Sequence, residues 1–148
     1  MDPVVDLGPG AEHDPLAQTL ADIVRANVSR DWQRREFARL RGSAAVVADD
    51  AGTALTLRFD FGRLTIHEGV VGVPDVTIRG TTRDIEALTR LPFNSALGVP
   101  LARLKDDEGR AAVALVLRAL RGGALKIYGM TFHARFVLRL LRVLSQRG

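Results

Sequence analysis

Cysteine is absent from the 148 residues, which excludes disulfides, thiolate metal sites and cysteine nucleophiles. Aromatic residues make up only 5% of the chain, with a single Trp and a single Tyr. No apolar run reaches the ~18 residues that a membrane-spanning helix needs. The first residues, MDPVVDLGPGAEHDP, are acidic and lack both a basic start and an apolar stretch, so no secretory signal is expected. Acidic residues stop at Glu108, while Arg110, Arg118, Arg121, Lys126, Arg135, Arg139, Arg142 and Arg147 follow. A basic third of this kind suits contact with phosphate on a lipid or a nucleic acid; it equally suits a chain whose surface cation is arginine.

Catalytic signatures are missing as well. His13, His67 and His133 are the only histidines, and none stands four residues from another. His67 and Glu68 are neighbours on an expected strand, so their side chains face opposite ways and cannot form a metal pair by themselves. The glycine pairs Gly69/Gly72 and Gly122/Gly123 fit neither dinucleotide nor P-loop spacing, and there is no G-x-S-x-G elbow. The sheet region offers Phe59 and Phe61, but the arginines lie mainly on expected helices, against a nucleic-acid platform. The expectation is a protein without catalysis, cofactor, metal or nucleic acid.

What is present is alternation. Leu55, Leu57 and Phe59 alternate with Thr56, Arg58 and Asp60; Leu64 and Ile66 with Thr65 and His67; Val76 and Ile78 with Thr77 and Arg79. Glycine breaks divide three short strands, read as an antiparallel meander with one apolar face. Ser43 to Ala48 and Ala124 to Gly129 supply two more, giving a five-stranded, mostly antiparallel sheet in an α+β fold whose one face must be covered by helices. Asp14-Pro15 predicts a helix start, and Leu16, Leu20, Ile23, Val24 and Val28 give it an apolar stripe. A bend at 29–31 precedes a continuation through Trp32, Phe37 and Leu40. A helix follows Thr81/Thr82 and stops at Leu91-Pro92. Residues 92–105 read as irregular cover, and the acids at 106–108 open a helix that is apolar almost all round from Ala111 to Ala119. A last amphipathic helix starts near Thr131. Hydrophobic content of 47% and charged content of 26% suit one soluble domain over 14–148, preceded by a flexible acidic arm over 1–13.

Three stretches in order resemble the sterol carrier protein type 2 family. They are Asp60-Phe61-Gly62-Arg63-Leu64-Thr65-Ile66-His67-Glu68-Gly69, then Pro74 to Ile78 followed by Arg83-Asp84, then Gly123-Ala124-Leu125-Lys126-Ile127-Tyr128-Gly129. The chain departs from the family pattern at 91–122, where an extra helix is inserted before the last strand. The resemblance implies non-catalytic binding, transfer or presentation of a fatty acyl chain, sterol or isoprenoid quinone in an apolar cavity between sheet and helices. The expected lining is Leu57, Phe59, Val113, Val116, Leu117, Leu120, Phe132, Phe136 and Leu140. Arg135, Arg139 and Arg142, at i, i+4 and i+7, are the expected contacts to a headgroup or an anionic membrane. A cytoplasmic location, peripheral to a membrane, follows from the same reading. The alternative is an interaction module that docks on a membrane or partner enzyme, or forms a homodimer, through the basic C-terminal helix.

Overall fold

A computed structural model describes residues 2–93 and 107–146. The sequence-predicted irregular cover over 92–105 therefore lies mostly outside the described residues, as does Asp106. Six strands form one mixed sheet: β1 (Val4–Leu7), β2 (Arg41–Ala48), β3 (Thr53–Asp60), β4 (Arg63–Glu68), β5 (Val76–Gly80) and β6 (Lys126–Tyr128). Their order across the sheet is β1-β4-β3-β2-β5-β6, with β1 parallel to β4 and β5 parallel to β2. The helices are α1 (Pro15–Asn27), α2 (Asp31–Arg39), α3 (Thr82–Leu88), α4 (Asp107–Arg121) and α5 (Ala134–Leu144). Among the described residues no helix is long and apolar enough to cross a membrane.

The architecture corrects the expected five-stranded, mostly antiparallel sheet in two ways. A sixth strand comes from the segment read as a flexible arm. Val4 to Leu7 add to the β4 edge in parallel, and a single 3-10 turn at Ala11–His13 packs Ala11 into the core. Two prolines and two glycines hid a strand of only four residues. The meander reading also fails at its last step, because β5 pairs with β2 and not with β4. β3 and β2 lie between, so residues 69–75 cross the outer face of the sheet. Thr56 holds that crossing: its hydroxyl donates to the Gly69 carbonyl at 2.7 Å and accepts from Val71 N–H at 2.9 Å.

Alternation along the strands sorts the two faces. Ala44, Val46, Leu55, Leu57, Phe59, Leu64, Ile66, Val76 and Ile78 are buried and join residues from all five helices in one core. Phe37, Phe59 and Phe136 stack edge to face through Phe59, each pair with centroids 6.2 Å apart. Asp14 caps α1 as its sequence predicts, its carboxylate accepting from Leu16 and Ala17 N–H. Thr81 does the same for α3 through Asp84 N–H.

The C-terminal helix is fastened by buried polar groups that no apolar pattern announces. Asn27 Nδ2 donates to the Val143 carbonyl at 2.8 Å, and Gln33 Nε2 to the carbonyls of Arg142 and Ser145 at 2.9 and 2.8 Å. These side chains satisfy acceptors that a helix end leaves open. Ser145 Oγ donates to the Leu91 carbonyl, and Gln146 N–H to that of Thr89.

Candidate functional site

The two helices that leave room between them are α3 and α4. Arg83, Ala87 and Arg90 fall at i, i+4 and i+7 along the α3 segment, while Ala111, Ala114, Leu115 and Arg118 fall on one side of α4. Together with Ala112 they line a groove of about 670 Å³. The room has a simple origin. Alanine ends at Cβ, so two helices facing each other through alanines fill little of the space between them. The volume lies within the range usual for small-molecule sites, ~300–1,000 Å³.

Three guanidiniums, Arg83, Arg90 and Arg118, rim this alanine floor. Arg90 stands 3.9 Å from Glu86, an exposed pair too long to hold it firmly. Arg83 and Arg118 have no ion-pair partner among the described residues. The start of α3 is fixed from the β2–β3 turn: Asp50 accepts from Thr82 N–H at 2.8 Å and from Thr82 Oγ1 at 3.0 Å. The Thr82 backbone N–H holds the Asp50 carboxyl below its ordinary range. An apolar floor with a cationic rim can accept a hydrocarbon tail and steady an anionic or strongly polar head.

The residues expected to line a cavity are not gathered into one lining. Leu57, Phe59 and Leu140 are fully buried in the core, and Val116 joins them from α4. Val113 and Phe136 are half-buried at its margin. Leu117 and Leu120 are exposed, and Phe132 is 89% exposed. α4 thus has three sides, one in the core through Ala112, Val116 and Ala119, one on the groove, and one in solvent. The groove residues Ala87, Ala111, Ala112, Ala114 and Leu115 were missed. The available signal was Ala111, Ala114, Leu115 and Arg118 at i, i+3, i+4 and i+7, facing Arg83, Ala87 and Arg90 at i, i+4 and i+7.

The basic stripe of α5 is divided too. Arg142 and Arg139 both reach Glu36 of α2, at 3.4 and 3.7 Å, and Arg139 also donates to the Arg39 carbonyl. Arg135 alone of the three is exposed without an ion pair among the described residues.

A second recess of about 370 Å³ lies on the outer face of the sheet, beneath the 69–75 crossing. Ser43, Thr56, Arg58 and His67 form its floor, and Asp60 and Asp75 its end. Its charges are of both signs. Among the described residues no three His, Asp or Glu side chains converge as a metal site would need.

This six-stranded, helix-covered α+β architecture is a sterol carrier protein 2-like fold. It is similar to the structure of a UbiJ-SCP2 ubiquinone synthesis protein, with a TM-score of 0.58 and 15% sequence identity over 87% of this chain and 91% of that one. At that identity the likeness is one of fold. A crystal structure of sterol carrier protein 2 aligns with a TM-score of 0.46 and 18% identity, over 82% of this chain and 87% of that one. No family model and no curated protein matches the sequence.

Proposed function

We propose that the protein binds a long-chain hydrophobic ligand with a polar or anionic head and carries or presents it without chemical change. The α3–α4 groove is the proposed seat, with the tail over Ala87, Ala111, Ala112, Ala114 and Leu115 and the head toward Arg83, Arg90 and Arg118. The observation that carries this reading is the groove itself: a cleft of about 670 Å³ with an alanine floor and an arginine rim, on a sterol-carrier-like fold. Each methylene removed from water contributes about 0.8 kcal/mol, so a sixteen-carbon tail gains roughly 12 kcal/mol gross. Association opposes this with about 4–15 kcal/mol. A tail alone is therefore marginal, which gives the arginine rim its use. Because the similar structure is named for ubiquinone synthesis, an isoprenoid quinone is the ligand to compare first with fatty acids and sterols.

The alternative, docking on a membrane or partner through the basic stripe of α5, has less to support it: Arg139 and Arg142 reach Glu36, which leaves Arg135 as the one arginine of the stripe without an ion pair among the described residues.

The test is a binding titration with a fluorescent fatty acid and with a quinone competitor. Ala114 is exposed, so Ala114→Trp fills the groove while leaving the core untouched, and should weaken binding at least tenfold with an unchanged circular dichroism spectrum. Equal binding by the variant and the wild type would remove the groove from the account.

A further inference from the structure

One end of the sheet carries apolar side chains that stand exposed among the described residues. β2, β4 and β5 begin there and β3 and β6 finish there, since Arg41 lies opposite Asp60 and Thr77 opposite Tyr128. Phe61 at the β3–β4 turn is 50% exposed, Val73 in the crossing 94%, Met130 41% and Phe132 89%. They come from three separate connections held at the same end. A Cβ on Gly129 would fall 2.5 Å from the Asp75 carbonyl, and one on Gly42 would fall 2.8 Å from both the Asp75 carboxylate and the Phe136 ring. Glycine at these two positions lets Asp75 close on the start of β2 and on the turn after β6.

Phe61 is the most telling of the four. It has φ of 46°, the one positive value outside glycine among the described residues, and Gly62 follows at 91°. A two-residue hairpin of this handedness favours Asn or Asp at the first position. An aromatic there is strained, and half of it is in solvent, so burial within this chain does not offset the strain. Strain without an internal gain points to function at the surface. The Arg41 guanidinium stands 5.7 Å above its ring.

The fringe around these side chains is basic. Arg39, Arg41, Arg58, Arg63 and Arg135 lie at this end against Asp2, Asp60 and Asp75. Among the described residues none of Arg41, Arg58, Arg63 and Arg135 is in an ion pair. Separate apolar tips inside a cationic fringe fit a soft, negatively charged surface that admits each tip. A second copy of the chain would set like charge against like charge at the same place.

We propose that this end of the sheet docks on a bilayer bearing anionic headgroups. Phe61, Val73, Met130 and Phe132 enter the interface while the fringe arginines meet the headgroups. The surface does not include the α3–α4 groove, so the proposal stands whether or not the groove holds a lipid.

Co-sedimentation of the full chain with two kinds of vesicle tests it: phosphatidylcholine alone, and phosphatidylcholine in which about a third of the lipid is phosphatidylglycerol. The chain should partition onto the anionic vesicles, weaken with added salt, and leave the neutral ones. Val73→Ser with Phe132→Ser, both at exposed positions, should reduce partitioning at least tenfold, and Arg135→Glu several-fold, since each cation near such a surface contributes about fivefold. Ala114→Trp should sediment like the wild type, which keeps this outcome separate from ligand binding in the groove. No binding to anionic vesicles at low salt, or binding unchanged in the double serine variant, would overturn the proposal. So would a wild-type dimer in size-exclusion chromatography that the double variant converts to monomer.

Discussion

α5 and α4 both pack one side on the core and both carry arginine in their last turn, yet they are held in opposite ways. α5 drives Val137, Leu140, Leu141, Val143 and Leu144 into the core, and Asn27, Gln33 and Glu36 fasten its last turns. α4 gives the core Val116 and Ala119, with Val113 and Leu115 half-buried against it, and turns Ala111 and Ala114 toward α3. The difference is one of volume and of polar anchoring, not of pattern. A helix that fills its space with leucine and has its carbonyls met is structural. A helix that leaves space through alanine, beside Arg83 and Arg118 with no ion pair among the described residues, leaves room for the proposed ligand.

That contrast is broken most severely from the α5 side. Leu140 is fully buried, so Leu140→Ala should lower stability by about 2–5 kcal/mol, read as a shift in the denaturant midpoint. A loss of less than about 1 kcal/mol would show that the space under α5 collapses easily and is not tightly filled. Gln33→Leu comes next. It removes the side-chain donor to the Ser145 carbonyl and leaves the Arg142 carbonyl with Ser145 N–H alone, for an expected loss of about 1–3 kcal/mol, or several degrees in Tm. An unchanged Tm would mean that the polar anchoring of α5 is dispensable.

Asp50→Asn gives the smallest expected effect and sharpens the α3 side of the comparison. Binding to Thr82 lowers the folded-state pKa of Asp50. Its stabilising effect is therefore full above the ordinary carboxylate range and fades as pH falls through the lowered value. The variant should match the wild type in acid and be slightly less stable near neutrality, in paired melts across pH. Parallel curves at every pH would detach Asp50 from the placement of α3.

Much of the fold was legible. Asp14-Pro15 announced α1, the alternation from Leu55 to Ile78 announced β3, β4 and β5, and three ordered stretches pointed to a sterol-carrier-like architecture. Val4 to Leu7 were not legible because four residues between prolines and glycines carry too little alternation to register. The partner of β5 was not legible either, because periodicity says which face a residue takes and nothing about which strand lies beside it. At the proposed site, apolarity along 111–120 pointed to α4, which forms one wall of the groove. It favoured Leu117 and Leu120, which face solvent, over the alanines that line the groove. Hydrophobic rank marks what wants to be buried, whereas an empty site is marked by what is too small to fill it.

The claim that the α3–α4 groove is the seat of a hydrophobic tail is tested most directly by photolabelling with a diazirine-bearing fatty acid, followed by peptide mapping. The account predicts adducts concentrated on 83–90 and 111–118, competed away by unlabelled ligand. Competable adducts confined to 57–59 and 132–140, with α3 and α4 unlabelled, would contradict it.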